Sequence, residues 1–293
     1  YESAPLLYGK TYASEPEYVP EGDYYRVKTT KGSAVYRPDK ENGKYKIIRY
    51  KEDVCYTQNM LFPRMWNERM AASYKNWTGG SEAAPTQKEN LTYFITYQLN
   101  YMYWRYFLWN FVGRQNDVQG SGEPEHGNWI TGISWLDNLR LGDQSLLPES
   151  LRQNKGHNVF YGLPLLLGLF GIYWQWNRSK KGKQQFSVLF FLFFMTGLAI
   201  LLFLNQTPGQ PRERDYAYAG SFYAFAIWIG IGAAGLCDML RRKTTSTVQV
   251  SVLMTICLLI PVQMASQTWD DHDRSARFTC RDFGANYLMT LPD

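Results

Sequence analysis

Four blocks of apolar residues in the second half of the chain limit what it can fold into. Each block has 18–20 residues, and at a helical rise of ~1.5 Å per residue this length covers roughly the 30 Å hydrocarbon core of a bilayer. The sequence therefore predicts a mostly α-helical, polytopic membrane protein with four transmembrane helices within residues 159–266. Buried core helices of a soluble protein are the alternative, and the fourth block fits it best. The blocks are Val159–Trp176, Phe186–Leu204, Ser221–Leu240 and Val248–Ala265.

The polar first third of the chain contrasts with these blocks. The mean hydropathy of -0.37 and the 19% share of charged residues would suit a soluble protein, but these averages mix two different regions. Alternation of apolar and polar residues predicts short strands, separated by the turn-forming stretches Lys31–Ser33 and Glu41–Gly43. Residues 1–92 are therefore predicted to form a polar module with a short β-meander. The predicted strands are Tyr24–Lys28, Ala34–Arg37 and Lys44–Tyr50.

Basic residues between the blocks predict the topology. Arg178–Lys183 and Arg241–Lys243 carry Lys and Arg at a higher density than the flanks on the opposite side, and such connections face the cytoplasm. The polar module, the loop within 93–158 and the segment 267–293 are then extracytoplasmic. We expect a multi-pass protein of the bacterial inner (cytoplasmic) membrane, in contact with membrane lipid, with its polar regions in the periplasm.

The aromatic segment Tyr93–Gly113 is as long as a span but carries several polar residues. On a helix at 100° per residue, Gln98 and Arg105 share one face, while Asn100 and Asn110 lie on roughly the opposite one. Two polar stripes exclude a helix that lipid surrounds. The pattern favours an interfacial helix over a spanning one, and both remain open.

The two ends of the chain indicate that it belongs to a longer protein. The sequence begins at Tyr1 without an initiator Met and stops at Asp293 without a recognisable end. We therefore expect an internal piece, with residues 267–293 leading to a further C-terminal domain. Two of the four cysteines lie in apolar blocks, which leaves Cys55 and Cys280 as a pair that could form a disulfide.

Charge and motif searches exclude several classes of function. The net charge of +5 comes from 31 basic and 26 acidic residues spread along the chain, without a basic run interleaved with aromatics, so nucleic acid is not an expected partner. His and Cys residues lack metal-ligand spacing, and no nucleotide-binding or hydrolase motif occurs. Neither a metal nor a cofactor is expected.

The outward connection after the second block is the first candidate site. Prolines and a glycine stiffen and turn it before a run of alternating charges. Arg guanidinium groups there could bind a phosphate at the membrane surface, and the two carboxylates are weak candidates for a catalytic base. A self-neutralising surface loop is the alternative. The residues concerned are Arg212, Glu213, Arg214, Asp215 and Tyr216.

A second candidate site follows the aromatic segment. Arg114, Asn116 and Asp117 come directly after it, and Arg105 lies within it. With nearby glycines and the stretch His126–Trp129, these groups could bind a polar ligand such as a sugar, with Asp117 as a third weak catalytic candidate. Hydrogen-bonded turns are the alternative.

Several strings resemble one known family. They match the bacterial domain-of-unknown-function family 2723 (DUF2723), found especially in Bacteroidota. The strings at Leu6–Pro16 and Met60–Trp66 fit the middle region of that family. The main resemblance rests on the strings at Tyr101–Gly120, Gly127–Ser145 and Pro211–Gly232.

The resemblance implies an enzymatic function in the cell envelope. The family is similar to polytopic glycosyltransferases of the C-type superfold and to protein O-mannosyltransferases. It implies protein glycosylation, with a polyprenyl-phosphate sugar donor and a protein acceptor on the outer side of the membrane. It also implies a catalytic carboxylate in an external loop whose framing spans lie outside this sequence.

Two functions therefore compete. In the first, a membrane glycosyltransferase holds the donor phosphate near Arg212 and Arg214 while a carboxylate deprotonates the acceptor hydroxyl. In the second, the chain is a non-catalytic membrane scaffold or binding subunit of an envelope complex, and the same loop is a structural ion-pair network.

Overall fold

The computed structural model describes residues 6–39, 43–80, 84–210, 214–243, 246–273, 275 and 278–290. The protein is mostly helical, with a small strand-containing module near the N terminus, as predicted. The strands are β1 (Tyr8–Gly9), β2 (Tyr18–Glu21), β3 (Tyr24–Val27), β4 (Thr29–Asp39), β5 (Lys44–Val54), β6 (Met60–Leu61), β7 (Gly113–Arg114) and β8 (Asn158–Val159). The helices are α1 (Ala71–Thr78), α2 (Gln87–Tyr93), α3 (Arg105–Phe111), α4 (Ser134–Leu141), α5 (Glu149–Arg152), α6 (Leu163–Arg178), α7 (Lys180–Thr196), α8 (Leu198–Leu204), α9 (Ala219–Arg241), α10 (Thr247–His272) and α11 (Thr279–Met289).

The strands pair as separate two-stranded antiparallel sheets rather than as one meander. β1 pairs with β6, β2 with β3, β4 with β5, and β7 with β8. The three predicted strands lie in β3, β4 and β5. The predicted break at Lys31–Ser33 is a shift of register inside β4 and not a turn, while Glu41 and Asn42 lie outside the described residues.

Among the described residues, three helical stretches are long and apolar enough to cross a membrane. They are Lys180–Leu204, Asp215–Arg241 and Thr247–His272. The third is the clearest case, because α10 buries none of its residues against the rest of the chain. An apolar helix with this much exposed surface needs an apolar solvent such as lipid.

The first apolar block is not confirmed as a fourth span. Its helix, α6, has 16 residues, or ~24 Å. The block loses its first residues because Val159 pairs with Gly113 in the β7–β8 ladder. Tyr161 and Gly162 then adopt positive φ angles of 55° and 66°, so the helix can begin only at Leu163.

Contacts within the chain divide it into two compact units. Unit 1 comprises Tyr1–Trp104 with Phe194–Gly220, and unit 2 comprises Arg105–Phe193 with Ser221–Asp293. The four cysteines, including Cys55 and Cys280, are free thiols.

Stacked tyrosines build the core of unit 1. After α2 the chain continues as a π-helix over Phe94–Trp104, a form that usually occurs only as a single turn. Tyr93, Tyr97 and Tyr101 repeat every four residues, and successive ring centroids lie 5.2 and 5.8 Å apart. Their stack fixes the orientation of the polar residues on the same segment.

The start of α2 carries a reciprocal cap. The Thr86 side chain accepts a hydrogen bond from the Glu89 amide, and the Glu89 carboxylate accepts one from the Thr86 amide. Thr86→Ala removes the first of these bonds, so we expect a loss of ~1 kcal/mol in the free energy of unfolding. Thermal unfolding of the purified chain measures it, and an unchanged midpoint would show that the cap contributes nothing.

Close helix packing organises unit 2. On α6, an added Cβ at Gly171 would overlap the carbonyl oxygen of Trp228, and on α9 one at Gly232 would overlap the carbonyl oxygen of Leu167. The Trp228 indole donates a hydrogen bond of 2.8 Å to the buried Gln175 side chain. Small residues thus allow the two backbones to approach, as in membrane helix pairs.

Candidate functional site

The sequence-predicted site residues fall into both units. Arg214, Asp215 and Tyr216 belong to unit 1, and Arg105, Arg114, Asn116 and Asp117 belong to unit 2. Arg212 and Glu213 lie outside the described residues. A binding role for these residues stays a prediction, and the partners that the structure gives them are described next.

The two arginines of unit 2 are already engaged by the protein. Arg105 is buried, donates to the Gly127 carbonyl at 3.1 Å and lies against the rings of Tyr106 and Trp109. Arg114 pairs with Asp271 at 2.5 Å. A ligand would have to compete with these contacts.

The polar residues after the aromatic segment hold a loop together. The buried Asn116 side chain accepts from the amides of Val118 and Gly127 and donates to the Glu125 carbonyl. This is the pattern of a hydrogen-bonded turn. Asp117 is exposed beside it.

Unit 2 also contains a cavity of about 370 Å³ near this loop. His157 lines it and donates through Nδ1 to the Gln115 carbonyl at 3.0 Å, since a carbonyl can only accept. Asp137, a second lining residue, accepts from Thr131 and Gly132. The polar groups of the cavity wall are therefore largely hydrogen-bonded within the protein. In the described part of the chain, no cluster of three or more His, Cys, Asp or Glu side chains could hold a metal.

In the run of alternating charges, the described residues form a short turn. Asp215 begins a 3-10 helix that ends at Tyr218, and Arg214 precedes it. The Tyr216 side chain is 59% exposed. Asp215 is exposed as well, and Arg214 is partly exposed.

The sequence did not single out the most unusual polar group, which surrounds the end of α8. We call it the Arg64 cluster, and it consists of Arg64, Asn90, Gln98, Asn205 and Gln206. Each of these residues is at most 4% exposed. All belong to unit 1.

The cluster forms because α8 ends inside the protein. After Leu204 the chain turns through Asn205 in the left-handed region, with φ 42°. The last carbonyls of a helix lack partners within it, and here side chains supply them. Arg64 Nη1 donates to the Leu202 carbonyl at 2.9 Å, and Gln98 Nε2 donates to the Gln206 carbonyl, also at 2.9 Å.

Further hydrogen bonds fix the cluster from the other side. The Asn90 side chain accepts from the Arg64 amide at 2.7 Å and donates to the Phe62 carbonyl at 2.8 Å. Asn205 accepts from Gln98 at 2.9 Å and donates to the Pro63 carbonyl at 3.0 Å. The network therefore holds Arg64 in one position.

Several polar atoms of the cluster remain unpartnered. Among the described residues, no group accepts from Nε or Nη2 of Arg64, and nothing pairs with Oε1 of Gln98 or with either side-chain amide atom of Gln206. No carboxylate of the described residues forms an ion pair with Arg64. Burial lowers the pKa of the Arg64 guanidinium to about 10.

Arg64 has two opposing energetic contributions. Its charge beside the carbonyl end of a helix is favourable, by roughly 0.3–1 kcal/mol. Each buried polar atom without a partner costs roughly 1–3 kcal/mol, and a buried charge without a counter-ion costs more. Because the costs exceed the gain, the geometry is suited to an anion that accepts from Arg64.

The sequence contained only a weak signal for this site. Arg64 lies within Met60–Trp66, which reads as a loop, and a lone cation between apolar residues does not indicate its partners. Gln98 was recognised as part of a polar stripe, and Asn205 and Gln206 as the start of the outward connection.

Comparison with known proteins contradicts the resemblance to DUF2723. The model of a family of unknown function, DUF8416, matches residues 2–95. No curated protein and no solved structure matches the chain. The resemblance to DUF2723 is therefore wrong, because the family that matches is a different one. The strings that carried most of the resemblance lie beyond residue 95.

Proposed function

We propose that this chain is part of a membrane protein that binds the phosphate and sugar of a polyprenyl-phosphate donor at the Arg64 cluster, and that the protein transfers the sugar to a protein acceptor. The observation that carries the proposal is the buried guanidinium of Arg64, whose Nε and Nη2 have no hydrogen-bond partner among the described residues. The proposal stands on this site and not on any family.

The unpartnered atoms favour a ligand with both an anion and hydroxyl groups. Arg64 Nε and Nη2 are donors that suit a phosphate. Gln98 Oε1 and Gln206 Oε1 are acceptors, and a fully ionised phosphate cannot donate to them. Sugar hydroxyls both donate and accept, so a glycosyl phosphate would satisfy both kinds of group.

The position of the cluster supports a lipid-linked ligand. It surrounds Leu204, the last residue of the apolar stretch Lys180–Leu204. A phosphate on a polyprenyl chain would lie at such a boundary while its tail stays in the bilayer. The dense basic connections at Arg178–Lys183 and Arg241–Lys243 support an outward, periplasmic position for this end in a bacterial inner membrane.

The remaining candidates of unit 1 receive subordinate roles in this proposal. Arg214 and Tyr216 would contact the donor from the adjoining turn, and Asp215 or Glu213 would serve as the base. Arg105, Arg114, Asn116 and Asp117 belong to unit 2, and they receive no role at the Arg64 cluster. Each role is a prediction of the proposal.

Binding of farnesyl phosphate, a short polyprenyl phosphate, tests the site. We expect the protein in nanodiscs to bind farnesyl phosphate and not farnesol, which lacks the anion. Arg64→Lys keeps the charge but loses the planar fork, so binding should weaken by about 10–100-fold. Arg69→Lys makes the same change at an exposed arginine five residues away and should leave the dissociation constant unchanged.

The outcomes separate the alternatives. Equal affinity in wild type and Arg64→Lys would refute the site, and would leave buried water as the partner of the unpartnered atoms. Binding without transfer of radiolabelled sugar from a glycosylated farnesyl phosphate, using full-length protein and membranes, would favour the non-catalytic scaffold or binding subunit.

A further inference from the structure

The β4–β5 hairpin has neither face covered within the described residues. Each strand has eleven residues, and neither pairs with a third strand there. All eleven residues of β5 are exposed. An isolated two-stranded hairpin is marginally stable in water. A hairpin of this length is therefore suited to contact with a partner.

The register of the hairpin separates its side chains into two different faces. Side chains alternate along a strand, and residues paired across the ladder share a face. Arg37 pairs with Lys46, and Val35 pairs with Arg49. The opposite face carries Tyr36 paired with Ile47. We call the first the basic face, and its cations are Arg37, Lys44, Lys46, Arg49 and Lys51.

Ion pairs among the described residues do not neutralise the cations of the basic face. None of the five forms an ion pair with a carboxylate among the residues that the structure describes. Two acidic residues, Asp39 and Asp53, share the face, so five positive charges stand against two negative ones. The face is therefore complementary to an extended anionic surface.

We propose that the basic face binds the anionic surface of a lipid bilayer. The chain carries three helices suited to a membrane, so a bilayer is the anionic surface that the protein meets throughout its life. Lys and Arg clusters are attracted to anionic headgroups within about a Debye length.

A fluorophore on the basic face measures this contact. A cysteine-free variant receives Val35→Cys, whose side chain lies between the cations, and the full chain is placed in nanodiscs containing a headgroup quencher. We expect at least threefold stronger quenching in anionic phosphatidylglycerol than in phosphatidylcholine. The difference should largely disappear at about 0.5 M salt, where the screening length is a few ångströms.

Charge-reversal variants distinguish binding through the basic face from a general attraction of the protein's net charge to anionic lipid. Lys46→Glu and Arg49→Glu should each remove most of the lipid-dependent quenching. Lys31→Glu makes the same change in net charge on the tyrosine face, where Lys31 lies over the Tyr50 ring at 3.6 Å, and should leave quenching nearly intact.

Two results would overturn the proposal: equal quenching in both lipids, or no quenching in either while the protein remains folded by size exclusion. A second label at Ser33→Cys guards against distortion at Val35. Crosslinking of the basic face to a protein, with no lipid dependence, would assign it to a protein partner instead. The test is independent of farnesyl phosphate binding.

Discussion

Gly232→Ala is expected to lower the stability of unit 2 by about 3 kcal/mol or more. A Cβ at this position on α9 would overlap the Leu167 carbonyl oxygen, which belongs to the α6 backbone. A backbone atom cannot rotate away, so the two helices must separate. Separation would also stretch the 2.8 Å bond between Trp228 and Gln175. Overpacking of this kind costs ~1–3 kcal/mol, and a buried polar pair left apart adds to it.

Gly230 provides a matched control on the same helix. An added Cβ there meets no atom within 4 Å, so Gly230→Ala should be neutral or slightly stabilising through helix propensity. Thermal unfolding in detergent, followed by size exclusion, compares the two variants. Equal midpoints would show that the close approach of α6 and α9 does not stabilise the protein.

The apolar blocks were predictable because length and composition suffice to identify a membrane helix. The second, third and fourth blocks lie in Lys180–Leu204, Asp215–Arg241 and Thr247–His272. The prediction that the first block spans the membrane is not confirmed, because the start of its helix depends on a tertiary contact. The sequence of Val159–Trp176 does not indicate that Val159 pairs with Gly113, 46 residues earlier.

The strands show the same limit at smaller scale. The alternation of apolar and polar residues located β3, β4 and β5, because successive side chains of a strand point to opposite faces. It could not distinguish one meander from separate hairpins, because which strands pair is decided between segments. Lys31–Ser33 has the composition of a turn, yet the β4–β5 pairing continues past it with a change of register.

The Arg64 cluster could not be predicted from local sequence. Arg64 bonds to Leu202, 138 residues away, and Asn205 bonds to Pro63, 142 residues away. Composition drew attention instead to Arg105 and Arg114, whose guanidinium groups are satisfied by Gly127 and Asp271. Charge in a sequence shows where a cation is, while only the fold shows whether it has a partner.

Arg64→Met is expected to leave the ligand-free protein within about 1 kcal/mol of wild type. Burial lowers the pKa of the Arg64 guanidinium to about 10, well below the pKa of an arginine in the unfolded chain, so burial of the charge costs about 3 kcal/mol. This cost is fully present below pH 10 and disappears as the pH rises through the pKa of the unfolded chain's arginine, because only the protonated form is penalised. Removing the charge recovers it, while the lost bond to Leu202 costs about 2 kcal/mol.

The same substitution at a paired cation should behave differently. Lys75 is 8% exposed and donates to Glu89 at 3.0 Å, so Lys75→Met leaves a half-buried carboxylate without its partner and should cost about 2 kcal/mol or more. Thermal unfolding at neutral pH compares both variants with wild type. A large loss for Arg64→Met would show that Arg64 serves the end of α8 and that its charge is already compensated.

Stabilisation by added ligand distinguishes an arginine that binds ligand from one with only a structural role. Farnesyl phosphate at about 100 times its dissociation constant should stabilise wild type and Lys75→Met by about 2.7 kcal/mol. Arg64→Met should gain nothing, because the guanidinium that donates to the phosphate is gone. An equal gain in stability in all three proteins would show that the phosphate binds elsewhere. No gain in any of them would show that Arg64 does not bind this ligand. A protein that keeps a costly unpaired cation, and becomes more stable only when an anion is supplied, uses that cation for binding.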